Sequence, residues 1–136
     1  MSSLKTTLTG YTRYQGRQGH ISFLLHRITG LGTLLFLTIH ILDTATIAIR
    51  PGLYMDVINI YRSTTFGILE ILLVFCVLYH GANGLRIAFF DMFAPKSWSK
   101  PTERASMLWT LSATAVFFIP AAVLMIRNLL INNFGL

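Results

Sequence analysis

The sequence predicts an all-α integral membrane protein of three transmembrane helices, and three observations carry that reading. Apolar runs at about residues 21–49, 66–91 and 107–131 are each long enough to cross a bilayer, which takes about 20 residues of helix. Charged residues make up 12% of the chain, against roughly 25% in an ordinary soluble domain. The basic residues fall in short clusters beside the apolar runs, the pattern of topology signals and not of a nucleic-acid groove, despite the net charge of +6. Residues 1–136 therefore read as one membrane-anchor domain, with no separate soluble part.

The elements follow in order. Residues 1–20, with Lys5, Arg13 and Arg17, are expected to form a polar arm at the membrane surface. The first run is too long for a cleaved secretory signal and carries His40 and Asp43, so the N-terminus reads as mature. Arg50-Pro51-Gly52 ends that run, because proline and glycine stop a helix and Arg50 marks the interface. Residues 53–65 read as a connector with a turn of interfacial helix. The second run holds Glu70 near a headgroup region. Residues 92–106 read as a polar loop, and Pro120 is expected to kink the third run. Lys5, Arg13 and Arg17 in the arm and Lys96, Lys100 and Arg104 in the second loop outnumber Arg50 and Arg62 in the first. The N-terminus is thus expected on the cytoplasmic side and the C-terminus outside.

Several chemistries are excluded by composition. Cys76 is the only cysteine and lies in an apolar run, which leaves no disulfide framework and no thiolate metal site. No glycine-rich phosphate loop, paired carboxylates or Ser/His/Asp set is present, so independent hydrolysis or phosphoryl transfer is not expected.

The ionisable residues inside the runs remain, and such residues are costly in lipid. His80 shares a helical face with Gly84 and Asp91. If Arg27 and Asp91 mark one membrane surface, His80 lies roughly 16 Å below it. A neutral imidazole there either hydrogen-bonds a neighbouring helix or ligates a haem, with Gly84 leaving room for a flat cofactor; spacing alone weighs the two equally. No other histidine is expected at that depth, so the second axial bond would come from another chain. His40, with Asp43 one turn on, carries the same pair of readings nearer the outer surface. His26 and Arg27 beside Ser22, with Arg86 in the same belt, form either an interfacial anchor or a donor site for haem propionates or a quinone carbonyl. A proton relay through His40, Asp43 and His80 in a small transporter subunit is a rival reading, and a cofactor-free structural anchor is another.

The motif Ser22-Phe23-Leu24-Leu25-His26-Arg27-Ile28-Thr29-Gly30 followed by His80-x-x-x-Gly84-x-Arg86-x-x-x-x-Asp91 resembles the cytochrome b membrane-anchor subunit family of succinate dehydrogenase (respiratory complex II). The resemblance covers all three runs, and His40-Ile41-Leu42-Asp43-Thr44 resembles the actinobacterial-type branch. It implies a non-catalytic anchor of a succinate:quinone oxidoreductase, with a flavoprotein, an iron–sulfur protein and a second membrane anchor as partners. A trimer of such heterotetramers and a place in a bacterial cytoplasmic membrane, in preference to the mitochondrial inner membrane, belong to the same implication. His80 matches the axial ligand of haem b, Arg27 the quinone-site arginine near a propionate, and Asp91 an acid close to the quinone pocket. His40 matches the distal ligand of two-haem relatives. The family serine commonly lies four residues before the arginine, where this chain has Phe23, with Ser22 one place earlier. A fumarate reductase anchor would share the same scaffold.

Overall fold

A computed structural model describes residues 18–97 and 99–135. Four helices follow one another: α1 (Gln18–Ile49), α2 (Pro51–Tyr61), α3 (Thr64–Phe93) and α4 (Lys100–Phe134), with one 3₁₀ turn at Pro95–Ser97. Three of them, over Gly19–Ile49, Thr64–Phe93 and Pro101–Asn133, are long and apolar enough to cross a membrane. The all-α membrane fold is as the sequence predicts. The basic arm lies outside the described residues apart from its last three.

The boundaries differ where polar composition concealed helix. Arg50 is extended and Pro51 opens α2, a position where the missing proline N–H costs nothing. The expected single turn of interfacial helix is therefore an eleven-residue helix. Residues 100–106, expected to be loop, are instead the first turns of α4. Ser99 is extended, Pro101 occupies the first turn, and Glu103 places a carboxylate near the positive end of the helix dipole. The helix runs on through Pro120 and ends at Gly135, whose φ of 67° closes a left-handed cap onto the Ile131 carbonyl.

Helix α3 packs against both α1 and α4, and those two meet each other only lightly. The interior is small and polar: Ser22, Thr29, Cys76, Tyr79, Asn83, Thr110, Thr114 and Ala122 are buried, whereas Leu31, Leu85, Trp109 and Phe117 point outward. Helices in lipid gain nothing by hiding leucine from its own kind, so close backbone packing and interhelical hydrogen bonds hold them together. The threonine hydroxyls of Thr29, Thr33, Thr110 and Thr114 bond the carbonyl four residues back at 2.8–3.0 Å, which satisfies them at no cost in width. Phe75 meets Phe118 edge-on at 5.3 Å and ties α3 to α4.

At the far end of the bundle, the Tyr61 hydroxyl donates to Asp43 and folds α2 back onto α1. This hydrogen bond, with burial and the carboxylate charge adding to it, pushes the Tyr61 phenol from 10.0 up to about 12. A raised phenol pKa means that the contact stabilises fully below pH 10.0 and is lost as pH climbs through about 12. A tyrosinate absorbance titration of the wild type minus that of Tyr61→Phe should accordingly isolate one phenol ionising near pH 12. Ionisation of that phenol at the ordinary value would show that the Asp43 contact does not form.

Candidate functional site

The α1–α3 contact brings together four of the side chains singled out from the sequence. The Ser22 hydroxyl donates to Asn83 Oδ1 at 3.1 Å and accepts from Arg86 Nη2 at 3.0 Å. Ser22 is 2% exposed and Asn83 is fully buried. Arg86 Nε and Nη1 are buried and find no acceptor among the described residues. A guanidinium held inside a bundle by one neutral hydrogen bond calls for an oxyanion, the partner that returns most for its desolvation.

One turn along, the rings of His26 and His80 lie parallel, with centroids 4.1 Å apart and planes 8° from each other. His80 Nδ1 sits 3.1 Å from the His26 carbonyl. A carbonyl can only accept, so Nδ1 carries the proton and Nε2 keeps a bare lone pair. Gly30 makes this ring position available: a Cβ there would stand 2.9 Å from His80 Cε1. Gly84, expected to leave a gap beside His80, is covered by the His26 ring, with Cε1 3.6 Å from where a Cβ would be. Open space lies instead at Gly81, next to His80, where a Cβ would meet nothing within 4 Å. His26 Nδ1 is buried without a partner among the described residues.

Depth is where the geometry corrects the sequence reading. Ser22 faces Asn83 and Arg86, and His26 faces His80, so the two histidines share one level. Arg27, next to His26, therefore lies at the level of His80, and Asp91, eleven residues further along α3, is about 16 Å away along the axis. The expectation of one level for Arg27 and Asp91 failed because helix starts were assigned from polarity, whereas α1 begins at Gln18 and α3 runs to Phe93. The expectation that no other histidine reaches the depth of His80 fails with it. His26 and His80 lie one upon the other, so the two rings cannot present their nitrogens to opposite faces of one flat group.

The remaining residues are spread out. Arg27 is exposed and stands 5.4 Å over the Phe23 ring, so Phe23, in place of the family serine, is its packing partner. Asp91 is exposed. His40 is exposed, stacks on Phe36 at 5.5 Å, and lies about 21 Å along α1 from His26. Asp43 is engaged by Tyr61 and does not orient His40, which leaves a relay through His40, Asp43 and His80 without its middle member. Among the described residues no three His, Cys, Asp or Glu side chains gather, so His80 offers one bond and not a metal cage. A cavity of about 600 Å³ beside Arg62, Glu70 and Asn128 lies at the opposite end and contains none of these groups.

Asn83, Gly30 and Tyr79 were missed by the sequence reading. Asn83 carried a usable signal, a carboxamide inside an apolar run one turn from His80. Gly30 carried none, because its role depends on which helix it meets.

Residues 4–121 match the family described as the succinate dehydrogenase/fumarate reductase transmembrane subunit. The chain is also 35% identical over 114 residues to the succinate dehydrogenase 2 membrane subunit SdhC of Mycobacterium tuberculosis, a match spanning 82% of this chain and 80% of that one.

The two glycines separate cleanly by experiment. Gly30→Ala forces a methyl onto the His80 ring and should destabilise the complex by about 1–3 kcal/mol, as overpacking does. Gly84→Ala meets only an ordinary contact and should stay within about 0.5 kcal/mol of wild type in the same thermal melts. Equal effects at the two positions would contradict the placement of the rings.

Proposed function

Since the chain belongs to the succinate dehydrogenase/fumarate reductase transmembrane subunit family, we propose that it ligates haem b through His80 and forms part of the quinone site that receives electrons from an iron–sulfur subunit. One observation carries this reading: the His26 carbonyl holds the Nδ1 proton of His80 and leaves Nε2 free as a ligand, with an under-partnered Arg86 six residues further along the same helix. A haem supplies a one-electron redox centre whose propionates are oxyanions, and it is bound through a single imidazole nitrogen on each face. The residues fit that group. Arg86 offers buried N–H donors with no acceptor among the described residues, His26 adds a buried ring nitrogen without a partner among them, and Gly81 leaves open room beside the ligand. A second ligand to the group would come from a second membrane-anchor subunit that completes the helical bundle.

Quinone reduction takes two electrons and two protons to give the quinol. Arg27, exposed at the level of His80, hydrogen-bonds and polarises a quinone carbonyl, which favours the charge that develops as electrons arrive. Asp91, nearer the bundle end, supplies the carboxylate through which protons enter. Ser22 has its proton engaged on Asn83, so it serves the quinone site by holding Arg86 and not by donating to the quinone. His40, exposed on α1 about 21 Å along the axis from His26, is the candidate ligand of a second haem. The flavoprotein and iron–sulfur subunits dock at the Ser22 end, on the cytoplasmic face of a bacterial membrane. The same arrangement serves fumarate reduction when electrons run the other way.

A reduced-minus-oxidised spectrum of the purified complex should show b-type absorption, with a second resolved component that His40→Ala removes. Absence of any b-type band would end the haem reading, and a single component untouched by His40→Ala would end the second-haem reading. Arg27→Ala should lower quinone reduction by about 10-fold or more while succinate oxidation by artificial dyes continues, as expected when one transition-state donor is lost. Undiminished quinone turnover would remove Arg27 from the pocket.

A further inference from the structure

The hydroxyls of α1 and α4 share a habit that Ser22 breaks. Thr29, Thr33, Thr38, Thr110 and Thr114 each donate to the carbonyl four residues back on their own helix. Ser22 instead sends its proton across to Asn83 on α3. A serine hydroxyl is a rotor, and a proton committed to the α1 backbone would turn its lone pairs elsewhere. Asn83 Oδ1 therefore selects the Ser22 orientation in which a lone pair meets Arg86 Nη2. Asn83 and Arg86 sit three residues apart on α3, so they bracket Ser22 from one helical face.

We propose that Asn83 is a positioning residue that aims Arg86 through Ser22, a deepening of the haem reading above. Asn83 anchors the guanidinium at Nη2 and leaves Nε and Nη1, both buried and without an acceptor among the described residues, directed at an oxyanion. The neutrality of the carboxamide is part of the device. It accepts from Ser22 as a carboxylate would, yet it does not neutralise Arg86. Asn83 itself is fully buried and so is not a solvent-facing contact, and its Nδ2 has no acceptor among the described residues.

The test uses the complete membrane complex. Asn83→Leu keeps the branched shape and removes the acceptor; Asn83→Asp keeps the acceptor and places a negative charge one turn from Arg86. Both should keep the haem and lower its midpoint potential in the direction of Arg86→Gln, Asn83→Leu because the cation loses its aim and Asn83→Asp because it is neutralised. Ser22→Ala should match Asn83→Leu, and adding Ser22→Ala to Asn83→Leu should shift the potential no further. A normal potential in Asn83→Leu alongside a shifted one in Arg86→Gln would overturn the positioning role while leaving the haem reading intact. If Arg86→Gln itself leaves the potential unchanged, the reading of Arg86 as a propionate partner fails. The positioning claim is then judged by a second measurement that needs no haem. Thermal double-mutant cycles between positions 83 and 86 should show coupling with Ser22 present and none in a Ser22→Ala background. Coupling that is absent throughout, or that survives Ser22→Ala, would refute it.

Discussion

Helices α1 and α3 can lie as close as they do only because Gly30 has no side chain where the His80 ring rests. That approach seats the His80 Nδ1 proton on the His26 carbonyl and lays the two imidazoles together. It also carries Ser22 into reach of Asn83 and Arg86. Gly32 repeats the arrangement one half-turn on, where a Cβ would stand 2.8 Å from the buried Cys76 Sγ. A bilayer gives no hydrophobic reward for bringing two apolar helices together, so contacts of this kind are the main source of specificity between them.

The same constraint explains the distribution of polarity. Outward faces are leucine, isoleucine and phenylalanine, and the interior of the Ser22 half holds serine, threonine, asparagine, tyrosine, histidine and arginine. Most of these satisfy one another or their own backbone. Among the described residues, the buried atoms that do not are His26 Nδ1, Tyr79 Oη, Asn83 Nδ2 and Arg86 Nε and Nη1. An orphaned group costs more in this setting than in a water-exposed protein. These atoms lie beside the His80 imidazole, whose Nδ1 is engaged by the His26 carbonyl, and they are the chain's contribution to the proposed haem site.

Much of the fold was legible because the signals were long and uniform. Three apolar runs and the scarcity of charge made the three long helices legible without reference to neighbours, and Arg50-Pro51-Gly52 marked the end of the first. The start of α4 was missed because Lys100, Glu103 and Arg104 look like loop by polarity, although Pro101 and Glu103 are also the residues that open a helix. At the site, the identities of Ser22, His26, His80 and Arg86 could be read from spacing, whereas their relative depth could not. Depth depends on the register between two helices, and that register is set by small residues such as Gly30 whose importance appears only once a partner helix is in place. Asp43 shows the same limit: one turn from His40 in sequence, it turns away to a tyrosine eighteen residues on.

The central claim is that His80 Nε2 bonds the haem iron while the His26 carbonyl holds the opposite nitrogen. Haem content of the complex carrying His80→Ala tests it most directly, with subunit composition measured in parallel. The expected result is an assembled complex lacking the haem nearest the Ser22 end, or binding it far more weakly. A complex assembled with a full complement of haem would contradict it.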